Sequence, residues 1–135
     1  MNHVILLGII YFAFISLGLP DSVLGVAWPT MRATLLQPIE AAGLITLVLT
    51  ICSAISSFTS GAVLKRLGTG PVVMISGLLT GLALLGFSLG PSFGVLLLLA
   101  IPLGLGAGSV DAGLNHFVAQ HYSSRHMNWL HGCWG

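Results

Sequence analysis

Four apolar stretches, residues 4–28, 41–64, 72–89 and 93–119, follow one another with only short polar breaks between them. Each is long enough to cross a hydrocarbon layer of about 30 Å as a helix, which takes roughly 20 residues. Few charges offset them: 5% of the residues are Asp, Glu, Lys or Arg, and 56% are hydrophobic. Soluble domains carry about 25% charged residues, so this inventory cannot make a water-facing surface. The chain therefore reads as an all-α integral membrane protein with four transmembrane helices, and the lipid bilayer is its first partner. A net charge of +1 excludes nucleic acid as an electrostatic partner. No Lys or Arg precedes the first apolar run, so that run reads as a span and not as a cleaved signal peptide.

Within the first span, Pro20 precedes Asp21 and is expected to free a carbonyl one turn earlier and kink the helix. Phe14, Gly18, Asp21, Gly25 and Trp28 are three or four residues apart and so share one face. Pro29 is expected to close the span, leaving an exposed loop over residues 30–40. In the second span Thr46, Thr50, Ser53, Ser57 and Ser60 form a hydroxyl stripe, read chiefly as helix packing. Residues 65–70 make a short basic turn, and Pro71 suits the first position of the third helix. Gly77/Gly81 and Gly86/Gly90 are small-residue pairs for close packing in that helix. After residue 119 a polar joint leads to a fifth span beginning near residue 127. Residues 1–135 thus read as one partial N-terminal bundle of a longer protein. Trp28, Trp129 and Trp134 suit the membrane interfaces. Lys65, Arg66 and Arg125 fall on one side and only Arg32 on the other, which puts the N-terminus in the cytoplasm.

The chemistry concentrates in residues 104–115, GLGAGSVDAGLN. Gly104, Gly108, Asp111 and Asn115 share a helix face in an otherwise apolar span. A carboxylate at the centre of a lipid-spanning helix costs roughly 2.5–3.5 kcal/mol, so it normally faces a bundle interior or a wet cavity. Asp21 and Asp111 are the only acids inside the four spans, and these spans hold no Lys or Arg. Protonation is then the way to neutralise them, since an apolar surrounding disfavours the charged form of a carboxyl group. A neutral Asp can hydrogen-bond a hydroxylated solute, with Phe14 or Trp28 offering an aromatic face and Gly108 opening the cavity wall. Asn115 either touches the solute or holds Asp111 in place. His116, His121, His126 and His131 recur every five residues, which spreads them around a helix, so no metal site is predicted. Cys52 and Cys133 lack redox or metal spacing. Nothing in the chain calls for a cofactor or a set of catalytic residues.

The turn after the second span reads Gly61-Ala62-Val63-Leu64-Lys65-Arg66-Leu67-Gly68. It resembles the Gly-x-x-x-Asp-Arg-x-Gly signature of major facilitator superfamily transporters at Gly61, Arg66 and Gly68, with Lys65 where the acid is expected. An acid followed four residues later by Asn, after a Gly-rich run, is similar to the fourth span of the fucose–proton symporter branch and its sugar-permease relatives. The segment Met127-Asn128-Trp129-Leu130-His131 also looks like the start of that branch's fifth span. The resemblance implies a twelve-helix fold of which this chain is roughly the first third. It implies that Asp21 and Asp111 take part in proton coupling and solute binding, and that Gly61, Arg66 and Gly68 belong to a cytoplasmic gate.

The expected function is proton-coupled transport of a small polar solute, with a sugar favoured, by alternating access in the cell membrane, together with the remaining transporter helices. One rival is a four-helix exporter of the small multidrug type acting as a dimer. Another is a non-transporting membrane subunit or gene remnant.

Overall fold

A computed structural model describes the backbone of residues 3–134 and the side chains of residues 4–132. The expected interfacial Trp134 and Cys133 have side chains outside that description. Five helices follow one another: α1 His3–Thr34, α2 Ala41–Leu67, α3 Thr69–Leu89, α4 Phe93–His121 and α5 Ser124–Trp134. The first four are long and apolar enough to cross a membrane. At a rise of about 1.5 Å per residue, even the shortest of them reaches through the hydrocarbon layer. Large apolar side chains line their outer faces, as along α1 at Ile5, Ile9, Phe12, Ile15, Leu19 and Val23. That three/four spacing gives α1 a lipid-facing stripe.

The helix ends differ from the sequence expectation in several places. α1 does not stop at Pro29 but runs through both Pro20 and Pro29 to Thr34. A proline removes one intrahelical hydrogen bond, and in a lipid-spanning helix neighbouring groups can take up the loss. Here the extra turns are held from outside, because Trp28 donates its indole N–H to the Ile39 carbonyl at 2.9 Å. That bond folds the 35–40 connection back onto α1. The Trp28 side chain is buried in the bundle. At the other end of α2, residues 65–67 and 69–70 are helical, so the turn shrinks to Gly68 alone. Pro71 accordingly sits at the third position of α3, still within the first turn, where no intrahelical donor is needed.

Gly68 has φ 80° and ψ 166°, a region that costs any residue with a Cβ about 1–3 kcal/mol. Gly68→Ala is therefore expected to destabilise the α2–α3 corner by that amount. Gly70→Ala, which has open space around it and sits at a helical position, should leave stability unchanged. Thermal unfolding of the two variants in detergent checks this, and equal melting temperatures would refute the assignment of strain to Gly68.

α4 is the centre of the bundle and the most buried of the four long helices. It packs along α2 on one side and α3 on the other, while α1 rests mainly on α5 and more lightly on α4. Glycines permit the two close seams. A Cβ on Gly104 or Gly108 would collide with the backbone oxygens of Leu49 and Ser53 of α2. One on Gly106 would meet the Thr80 hydroxyl at 2.6 Å and the Ser76 carbonyl at 2.8 Å in α3. Hydroxyls add to the α2 seam: Ser56 donates to the Leu105 carbonyl at 2.7 Å and pairs with Ser109, and Ser57 donates to the Gly108 carbonyl at 3.2 Å.

Ser56 lies outside the stripe read from the sequence, whose member Thr46 is exposed and bonds back to its own helix at Ala42. The Gly77/Gly81 pair likewise makes no close contact, for nothing lies within 4 Å of a Cβ at either position. α3 turns Val72, Ser76 and Ala83 inward, and residues 77 and 81 fall off that face. Gly86 and Gly90 do meet α4, at Leu99 and Leu96.

Candidate functional site

Two apolar clusters close the ends of the bundle. Ile10, Phe14, Leu17, Val110, Leu114, Val118 and Leu130 form one. Trp28, Ala41, Ile45, Leu96 and Ala100 form the other. Between them, α1, α2, α4 and α5 leave an open cleft of about 400 Å3. Its walls include Leu17, Pro20 and Asp21 from α1, and Thr50, Ser53 and Ser57 from α2. Ala107 and Asp111 of α4 and His131 of α5 complete it.

The two intramembrane acids thus face one space, although 90 positions separate them in the chain. α1 continues to Thr34, and Asp21 lies within a turn of that helix's midpoint. Asp111 lies just over one turn past the middle of α4. Asp21 is exposed and Asp111 half-buried. Asp21 also borders a second hollow of about 460 Å3 with Trp28, Thr46 and Thr50, so its carboxylate stands between two openings.

Asn115 donates its side-chain amide to an Asp111 carboxylate oxygen at 3.0 Å. One turn apart on α4, the pair holds Asp111 in a set orientation, and Asn115 does not line the cleft. The amide oxygen of Asn115 is buried without a partner among the described residues. Phe14 and Gly108 are placed differently from the cavity-wall positions expected of them. Phe14 is fully buried beneath the cleft in the first cluster, and Gly108 is taken up by the contact with Ser53. Trp28 borders the second hollow only.

His131 is the cleft residue that spacing along the chain did not single out. Its ring meets Phe14 edge-on, with centroids 5.9 Å apart at 85°, and it forms the α5 wall opposite the α2 hydroxyls. The five-residue recurrence of the histidines drew attention to their mutual angles, whereas what matters for His131 is the neighbour of α5. Its position next to Leu130, the fully buried contact of that helix, is the signal that could have found it. Among the described residues no group of three His, Cys, Asp or Glu side chains is arranged to hold a metal ion.

Of the turn motif, Gly61 and Arg66 are exposed on the last turns of α2, and Gly68 forms the corner itself.

Chemically the cleft offers carboxyl, hydroxyl and imidazole groups set in apolar walls. That combination can take hydrogen bonds from a hydroxylated solute and give others back. The family model for the Major Facilitator Superfamily matches residues 10–133, a span that includes every residue of the cleft. No curated protein and no solved structure matches the chain.

Proposed function

The chain belongs to the Major Facilitator Superfamily, a family of membrane transporters, and on that premise we propose that its cleft is part of a path for a small polar solute whose movement is coupled to protons. Sugars are the favoured solutes, as in the fucose–proton symporter branch, and the chain acts with the remaining helices of a twelve-span carrier. The protein lies in the cell membrane with its N-terminus in the cytoplasm, the side on which Lys65, Arg66 and Arg125 fall.

The observation that carries this reading is the shared cleft of Asp21 and Asp111, near the midpoints of their helices and faced by Thr50, Ser53 and Ser57. Carriers of this general kind bind solute near the bilayer midplane. A carboxyl group there exchanges a proton with whichever side the cleft faces, and its neutral form hydrogen-bonds a sugar hydroxyl. Asn115 keeps Asp111 pointed for that exchange. Gly61, Arg66 and Gly68 serve the cytoplasmic closure, with Gly68 supplying a corner that holds α2 and α3 at a fixed angle.

The test uses the complete transporter in proteoliposomes with L-fucose and D-galactose as probes. Asp111→Asn is expected to abolish accumulation driven by a pH gradient, by at least about tenfold, while downhill exchange of the same sugar persists, since the coupling and binding steps separate when only the ionisable group is lost. Equal accumulation by the variant and the parent at every external pH would remove the coupling role.

A further inference from the structure

A separate cavity of about 590 Å3 lies where the C-terminal ends of α2 and α4 meet the start of α3. Lys65, Thr69, His116, Gln120 and His121 contribute its polar walls, and Phe117 an apolar one. None of the described residues lining it is acidic, and Arg66 follows Lys65 directly. The position where related turns carry an acid is Lys65, so the departure from the signature is what leaves this cavity free of negative charge.

His121 is fixed in place. Its Nδ1 lies 2.9 Å from the Phe117 carbonyl, which can only accept, so Nδ1 carries a hydrogen and Nε2 is the ring nitrogen left to meet a ligand. The ring stacks on Phe117 with centroids 4.2 Å apart and 19° between planes. Lys65 and His121 both belong to the last turns of long apolar helices, which is the level at which hydrocarbon gives way to head groups.

We propose that this cavity binds the head group of an anionic glycerophospholipid of the phosphatidylglycerol type. The Lys65 ammonium pairs with the phosphate, Gln120 and the Nε2 of His121 share hydrogen bonds with the head-group hydroxyls, and Phe117 packs against the glycerol ester region. A basic pocket between spans, with an apolar inner wall, suits a lipid better than a free phosphate ion, which has nothing to place against Phe117.

Native mass spectrometry of the 135-residue chain in mild detergent tests the assignment without any transport measurement, so it can fail independently of the carrier reading. Phosphatidylglycerol is expected to stay bound at several-fold lower lipid concentration than phosphatidylcholine. Lys65→Gln, at an exposed position that leaves packing intact, should weaken phosphatidylglycerol about fivefold. Arg125→Gln, which removes an equal charge outside the cavity, should leave it unchanged, and excess inorganic phosphate should not displace the lipid. Equal retention of the two lipids, an equal loss in Arg125→Gln, or displacement by inorganic phosphate would each overturn the proposal.

Discussion

Gly108→Ala is expected to push α2 away from α4 and to destabilise the bundle by about 1–3 kcal/mol, the usual range for forcing a methyl group into a filled space. The new Cβ would meet the Ser53 carbonyl oxygen, with the carbonyl carbon at 2.9 Å and Cα at 3.0 Å. These are backbone atoms, which cannot rotate aside as a side chain does. Relief therefore requires the helices to separate, and separation stretches the bonds from Ser56 to Leu105 and from Ser57 to Gly108. In a membrane such bonds average about 0.6 kcal/mol each, so the steric term leads. Gly104→Ala acts one turn away on the same seam, against Leu49 and Cys52, and the double variant should lose most of the α2–α4 contact. Gly81→Ala, with open space around it, is the matched control. Unfolding of purified protein in a denaturing detergent series measures all of these, and a Gly108→Ala midpoint equal to that of Gly81→Ala would show that the seam is not close-packed.

The second large effect is expected at Leu130. Its side chain is fully buried among Ile10, Phe14, Leu17, Val110, Leu114 and Val118, and it seats the 11-residue α5 on α1 and α4. Truncating a buried leucine to alanine costs about 2–5 kcal/mol. The lower end applies where lipid replaces water as the alternative surrounding, because only packing contacts are then lost. Leu130→Ala should raise amide hydrogen exchange across residues 124–134 by roughly thirtyfold or more, with α2–α4 unaffected. His131 should leave the cleft with its helix. Unchanged exchange in α5 would mean that some other contact holds it.

Much of the architecture is legible in the sequence because lipid leaves a chain few options. Runs of Leu, Ile, Val and Ala at span length have to be helices, so an all-helical membrane protein follows, while the superfamily is legible only through its turn motif. The helix ends are less legible, since they depend on contacts distant in the chain: α1 outlasts Pro29 because Trp28 reaches Ile39. The seams follow the same logic. Spacing alone favoured a stripe through Thr46 and Ser60, yet the hydroxyl that crosses to α4 most directly is Ser56. Which glycines bear packing could not be read either, as Gly77/Gly81 and Gly104/Gly108 have the same spacing and opposite surroundings. For the candidate site, cost identifies Asp21 and Asp111 one by one. Their common cleft, and His131 within it, require knowing which helices are neighbours.

The unequal seams of the bundle also determine how it can change shape. α2, α3 and α4 are locked by backbone meeting glycine, where a displacement of a few tenths of an ångström already brings repulsion or loses contact. α1 and α5 grip one another, and hold the other three through side-chain tips. A rigid three-helix block thus faces a two-helix arm, with the softest boundary between them running along the cleft. Asp21 belongs to the arm and Asp111 to the block, so the two acids of the cleft stand on opposite sides of that boundary.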